Sequence, residues 1–227
     1  MKKILLLTFL FLLVPQAKAQ ISVDRAILRF PTGSRPVQNV IVRNGGEEDM
    51  GIEVVPEVVE NPGSPEEKRV KTKDLIISPK RFSIKGKGQR TIRLLVKKPF
   101  TDQEQIYRVR LLPQPRGFGD EASGKVKATK LRVVTTVGLL VLVDPKKVQP
   151  ELEWDLGDKK LTFKNKGNTN IFLDEGRACK SEGASCEELP ATRLYPNTDW
   201  NVKLPEGKKF VTYRKKVAGE FESFVVQ

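Results

Sequence analysis

The side chains of this chain that could do chemistry are two cysteines, a set of arginines and several adjacent carboxylates; histidine is absent. Without histidine, a Ser-His-Asp or Cys-His catalytic pair is excluded, as are zinc sites that use imidazole. Two cysteines cannot build a four-cysteine metal site. The acid pairs Asp155/Asp158 and Glu187/Glu188 could in principle act as a hydrolase's two carboxylates, but they sit in charged, turn-like segments and read as solvated acids. KGKGQR (85–90) lacks the G-x-x-x-x-G-K-[ST] spacing of a phosphate-binding loop and no helix follows it. Catalytic, cofactor-binding and metal-binding residues are therefore not expected. Arg25, Arg29, Tyr107, Arg108, Arg110 and Arg132 remain as donors that could receive an anion.

Cys179 and Cys186 have six residues between them, Gly183 included. Their meaning depends on the compartment, and the N-terminus speaks to that. It reads MKKILLLTFLFLLVPQAKAQ: two lysines, an apolar run over 4–14, and Ala17-Lys18-Ala19 before Gln20. This is the pattern of a secretory signal peptide over 1–19, too short to anchor a membrane. In an oxidising compartment the two cysteines read as a structural disulfide, since a redox pair would be C-x-x-C. The formal charge of +13 falls to +10 once Lys2, Lys3 and Lys18 are removed.

The elements that must position these groups are strands. SVDRAILRF (22–30), NVIVRN (39–44), IEVVPEVV (52–59), DLIIS (74–78), RTIRLLV (90–96) and IYRVRLL (106–112) are rich in Val, Ile and Leu, with Pro and Gly between them. No window carries a helical stripe. Segment 113–129 reads as a long hairpin loop. KLRVVTTVGLLVLV (130–143) is the longest strand-like run and would extend about 47 Å. Its first half places Leu131, Val133, Thr135 and Val137 on one face; its second half, 139–143, is apolar throughout and calls for cover on both faces. KKVQPE (146–151) reads as a hinge. A smaller strand-rich segment follows: LEWDL (152–156), KKLTFKN (159–165), TNIFLDEG (169–176), NVKLP (201–205), KFVTYRKKV (209–217) and FESFVVQ (221–227). The expected fold is all-β, with an N-terminal domain over 20–144 and a C-terminal one over 145–227. Gly167-Asn168 suits a tight turn with positive φ, and Trp154, Trp200 and Tyr195 read as core aromatics.

Taken together, DLIISPKRFSIKGKGQRTIRLL (74–95), EQIYRVRLLP (104–113), VGLLVLVDP (137–145), LTFKNKGNTNIFL (161–173), the cysteine pair and RLYPNTDW (193–200) resemble the periplasmic chaperones of the chaperone–usher pathway. The likeness covers nearly the whole chain after the signal peptide and leans to the alternative and archaic branches. It implies two immunoglobulin-like β-sandwich domains arranged as an L-shaped or boomerang pair. It also implies a protein that is not an enzyme, uses no cofactor, binds pilin or fimbrial subunits in the periplasm and delivers them to an outer-membrane usher. A pilin lacks its last strand and exposes a groove; the chaperone lends a strand in its place, a form of β-augmentation. Leu131, Val133, Thr135 and Val137 are the side chains such a donor strand would insert. A free chaperone could self-associate through the same edge. Nucleic acid and membrane insertion are not implied.

One departure stands out. Family members hold the subunit's C-terminal carboxylate with a basic residue on the first strand and another on the donor strand. With Asp24 and Pro145 as landmarks, those positions fall on Ile27 and Leu140. The expected replacement is Arg108, with Tyr107 as a hydroxyl donor and Arg25 and Arg132 as further candidates. The alternative is a secreted basic sandwich that binds acidic glycans or membrane surfaces, whose binding would fall steeply with salt.

Overall fold

The computed structural model describes residues 21–97, 100–114 and 135–226. The expected signal peptide lies outside this set, as do most of the expected 113–129 loop and Leu131, Arg132 and Val133.

The first part of the chain forms β1 (Ile21–Val23), β2 (Ile27–Phe30), β3 (Val37–Asn44), β4 (Met50–Glu60), β5 (Lys68–Lys71), β6 (Leu75–Ser78), β7 (Arg81–Ile84), β8 (Gln89–Val96), β9 (Gln105–Gln114) and β10 (Val137–Val143). They make two sheets, β1-β3-β8-β6 and β2-β10-β9-β4-β5, with β7 also paired to β4. Their inner faces enclose one core, in which Phe30, Val40, Ile92, Val109, Leu111, Leu139, Val141 and Val143 are fully buried. The second part forms β11 (Leu152–Leu156), β12 (Lys160–Asn165), β13 (Ile171–Cys179), β14 (Glu187–Glu188), β15 (Thr192–Leu194), β16 (Asp199–Lys203), β17 (Phe210–Val217) and β18 (Glu220–Val226). Its sheets are β11-β12-β16 and β14-β13-β17-β18, with β15 beside β13. Leu161, Phe163, Leu173, Val211 and Tyr213 centre a separate core. Both units are antiparallel immunoglobulin-like sandwiches apart from one parallel contact, β10 with β2.

The structure corrects several expectations. The run 22–30 is two strands in different sheets rather than one. Asp24 ends β1, its backbone N–H and its carboxylate both bonded to Ile41, at 3.1 and 2.9 Å. The chain then crosses to the other sheet, where β2 lies beside β10. The expected 130–143 strand begins, among the described residues, at Val137. Thr135 and Thr136 are exposed and lie outside any strand, because the ladder that β9 offers β10 ends at the pair Leu111–Val137. β5 and β7 carry too few apolar residues to be read as strands; main-chain pairing to β4 holds them. Trp154 is 38% exposed and packs at a tilt on Phe224 rather than in the core. The Ser78–Pro79 peptide is cis. Cys179 and Cys186 are joined in a disulfide.

Candidate functional site

The second half of β10 is buried on both sides, as its sequence requires. Leu139, Val141 and Val143 point into the first core. Leu140 and Leu142 point the other way and pack with Val59, Ile106 and Tyr195. Tyr195 belongs to the second unit, so it is a core aromatic, as expected, but of a small cluster at the junction. It also meets the β4–β5 turn, where Gly63 has a φ of +74°; a Cβ there would lie 2.9 Å from the Tyr195 ring. Only glycine allows that approach.

The alternation of β9 sorts its candidate side chains. Tyr107 and Gln105 point inward: Tyr107 is 1% exposed and its hydroxyl donates to Gln105 Oε1 at 2.7 Å. Burial holds that hydroxyl protonated well beyond the usual tyrosine range. In this arrangement Tyr107 faces the core and not the cleft, contrary to the role expected of it. Ile106, Arg108 and Arg110 lie on the outer face.

Backbone register then builds one row across the sheet: Ile27, Leu140, Arg108 and Glu57 are successive Cα partners on β2, β10, β9 and β4. The two positions where the family pattern calls for cations thus sit side by side as Ile27 and Leu140, and Arg108 is next in the row. Ile27 is 52% exposed, whereas Leu140 is covered. Among the described residues Arg108 makes no hydrogen bond or ion pair. Glu57, its register partner, turns instead to Arg110, with Nε–Oε2 at 3.1 Å and Nη2–Oε1 at 2.6 Å. Arg29 forms the same fork on the buried carboxylate of Asp144, Nε–Oδ1 at 2.8 Å, and is structural. Arg25 is exposed and rests 3.3 Å from its neighbour Asp24.

The junction between the units is polar and tightly bonded. Asn168 accepts from Gln149 N–H and donates to the carbonyls of Asp102 and Lys147, each at 2.8 Å. Gly167 and Asn168 do not take positive φ. Gly167 is instead required by contact, since a Cβ there would come within 2.5 Å of the Gln149 carbonyl. Glu104, just before β9, accepts from the Asn170 backbone at 2.8 Å and from its side-chain amide at 2.5 Å. Burial pushes the Glu104 carboxyl up to about 7, and the nearby Asp144 charge adds to that. Arg193 donates to Asn170 Oδ1 and lies 5.0 Å over the Phe172 ring. Sequence reasoning missed Glu104, Asn170 and Arg193 as a group; their only linear signal was membership of the 104–113, 161–173 and 193–200 segments. An open cavity of about 600 Å³ lies at this junction, with Asn61, Gln103, Glu104, Ile106, Pro196 and Thr198 on its walls.

The acid pairs form no such site. Asp158 and Glu187 are exposed and ion-paired to Lys209 and Lys208.

Fold and site together define a strand-based binding protein: two immunoglobulin-like sandwiches, a strand with one edge partly open, and beside it an arginine that makes no hydrogen bond or salt bridge among the described residues. Residues 20–149, more than half of the chain, match the family model described as "Pili and flagellar-assembly chaperone, PapD N-terminal domain". The chain belongs to that family, which is one of chaperones and not of enzymes.

Solved structures agree on the fold. The chain is 14% identical to one in the Salmonella enterica SafA pilin complex with the SafB chaperone, covering 93% of this chain and 98% of that one, with a TM-score of 0.63. It is 13% identical to one in the CsuC–CsuE chaperone–tip adhesion subunit pre-assembly complex from archaic chaperone–usher Csu pili of Acinetobacter baumannii, covering 91% and 98%, TM-score 0.63. The periplasmic chaperone SfaE is 19% identical, covering 90% and 98%, TM-score 0.62. No curated protein sequence matches the chain significantly.

Proposed function

We propose that this protein, exported to the periplasm by cleavage of the 1–19 signal peptide, captures pilin or fimbrial subunits by donor-strand complementation and passes them to an outer-membrane usher. The observation that carries the reading is the open edge of β10. β2 pairs with β10 only over the four positions from Leu140 to Val143, whereas β9 pairs with it from Val137. At Val137, Gly138 and Leu139 one edge of β10 therefore has no strand beside it among the described residues. A row of unpaired N–H and C=O groups is a template for another strand. A Cβ on Gly138 would meet nothing within 4 Å, so the sheet face over Gly138 is also open.

Leu131, Val133 and Thr135 share the parity of Val137. In a continued strand all four would present one face to a subunit groove. Each buried Leu or Val contributes about 1.5–3 kcal/mol before the costs of association. Arg108, one strand from Leu140 and without a hydrogen bond or salt bridge among the described residues, receives the subunit's terminal carboxylate. In this reading residues 20–144 form the domain that lends the strand, and 145–227 form the domain that closes the cleft. Two free copies would pair through the same β10 edge. The pilin and tip-subunit complexes among the structural neighbours support the choice of partner.

Co-expression with a pilin tests the proposal. Leu131→Asp combined with Val133→Asp should abolish the co-purified complex while circular dichroism and Tm stay unchanged. Normal capture by that double variant would refute the donor strand. Capture that collapses in high salt would point instead to glycan or lipid binding.

A further inference from the structure

The charges around the cleft do not balance locally. The Glu57 carboxylate is held by Arg110. Glu67 accepts from Gly63 N–H at 3.0 Å and lies 3.2 Å from Arg69. Glu104 is bonded twice by Asn170 and, with its carboxyl at about 7, is only partly ionised at neutral pH. Two cations in the field of these acids make no salt bridge among the described residues. Arg108 has no bonded partner among the described residues. Arg193, on β15 of the second unit, forms no ion pair among them; its one hydrogen bond goes to the neutral amide oxygen of Asn170. Burial lowers the Arg193 guanidinium from its ordinary value; Tyr195 and Glu104 oppose this, and repulsion from Arg108 adds a smaller lowering, so these groups share one field. Burial pushes the Tyr195 hydroxyl up, Arg108 and Arg193 pull it down, and Glu67 and Glu104 oppose them; only Leu194 separates Tyr195 from Arg193 in the chain. The Tyr195 ring packs on Leu140, Leu142 and Ile106, and its hydroxyl makes no hydrogen bond among the described residues.

We propose that the second domain supplies the other half of the carboxylate site, with Arg193 as a second cation and the Tyr195 hydroxyl as a neutral donor opposite Arg108. The inference rests on the chaperone reading above and names the residues of that same site which meet the subunit's chain end. A guanidinium has five N–H donors, and Arg193 uses one of them within the described structure. Two like charges held near each other in a partly dry cleft repel, and an arriving carboxylate removes that repulsion while accepting from both. Asn170, itself fixed by Glu104, positions the Arg193 guanidinium. Phe172 supports its face, a packing that suits arginine. The site therefore spans two domains and is complete only when they are docked.

The test uses the full mature chain, labelled with ¹⁵N, and two probes: acetyl-Val-Thr-Val-Thr-Phe as the free acid and as its C-terminal amide. The free acid should shift the Nε–H signals of both Arg108 and Arg193; the amide should leave them in place. Arg193→Met should weaken binding of the acid about ten-fold or more, and Tyr195→Phe about two- to ten-fold, with no change for the amide. Arg193→Lys should recover part of the loss. An unmoved Arg193 signal, or an Arg193→Met chain that still prefers the acid as wild type does, would overturn the inference. If Arg193→Met disturbs the junction, Tyr195→Phe and the wild-type shifts decide. The two readings fail separately: subunit capture that depends on Leu131 and Val133 but not on Arg193 or Tyr195 removes the second-domain site and keeps the chaperone. Capture indifferent to Leu131 and Val133 removes the donor strand itself.

Discussion

Arg108 and Arg110 stand two residues apart on the same face of β9, and they live in different electrostatic worlds. Glu57 faces Arg108 in the register of β4 against β9, yet its carboxylate reaches diagonally to Arg110 and forms a two-pronged fork. Arg110 thereby closes an internal account of charge: Glu57 is 5% exposed and would be costly to leave bare. Arg108 closes none. A structural arginine has a buried acid waiting for it. A binding arginine has its acid arrive from outside. Neighbouring side chains of one type, in one strand, can divide those tasks because the Glu57 carboxylate forks to one of them only and the diagonal geometry assigns it to Arg110.

The largest expected effect is on Arg108. Arg108→Ala should reduce subunit affinity about ten- to a hundred-fold, the scale of a lost charge-assisted hydrogen bond, while stability in urea shifts by no more than about 0.5 kcal/mol. Pull-down titration and equilibrium unfolding measure the two. A variant that instead unfolds easily and still binds would erase the contrast.

Next is the pH response of Glu104, the acid that anchors the junction beside these arginines. Its carboxyl stands at about 7 in the folded state against an ordinary value of 4.5. The folded state therefore binds the proton more tightly than the unfolded one. The contribution is favourable below about 4.5 and is lost as pH rises through about 7. The loss is on the order of 2–3 kcal/mol. Glu104→Gln should flatten this part of the stability–pH curve; an unchanged slope would place the titration elsewhere.

Arg110→Ala should do the reverse of Arg108→Ala. It strands the buried Glu57 carboxylate and should cost about 1–2 kcal/mol, scaled down because the Arg110 side chain is 40% exposed. Its effect on capture should be small by comparison. The smallest effect sharpens the rule from the other side. Arg81 also reaches an acid on β4, Glu53, at 3.0 Å, but its side chain is 80% exposed. Arg81→Ala should change stability by about 0.5 kcal/mol or less, showing that an ion pair in water lacks the weight of the Arg110 fork.

Much was legible before any coordinates. Alternation of apolar residues located most of the long strands, since one face of each had to be buried. The absence of histidine removed whole classes of chemistry. The apolar block at 139–143 announced cover on both faces and received it, from the first core on one side and Tyr195 on the other. The cysteine spacing suggested a local closure, and the bond joins those two residues. Ile27 and Leu140, which landmarks in the linear sequence paired as equivalent positions on two strands, are register partners.

Other features had no linear signature. The split of 22–30 into two sheets depends on Asp24 bonding to Ile41, which lies 17 positions away. The inward turn of Tyr107 and the outward turn of Arg108 follow from which face of β9 meets the core, and a short mixed run does not reveal that by itself. The choice of Glu57 for Arg110 is a contest between two arginines for one acid, settled by side-chain reach across a strand pair. Arg193 meets Glu104 through Asn170 only because the hinge folds the second unit against the first. The sequence by itself determined most of the long strands and the exclusion of histidine-based chemistry, because these follow from composition and local periodicity. Only the tertiary structure decided which cations keep a bonded partner among the described residues and which do not, because charge pairing depends on distances between residues that the chain places far apart.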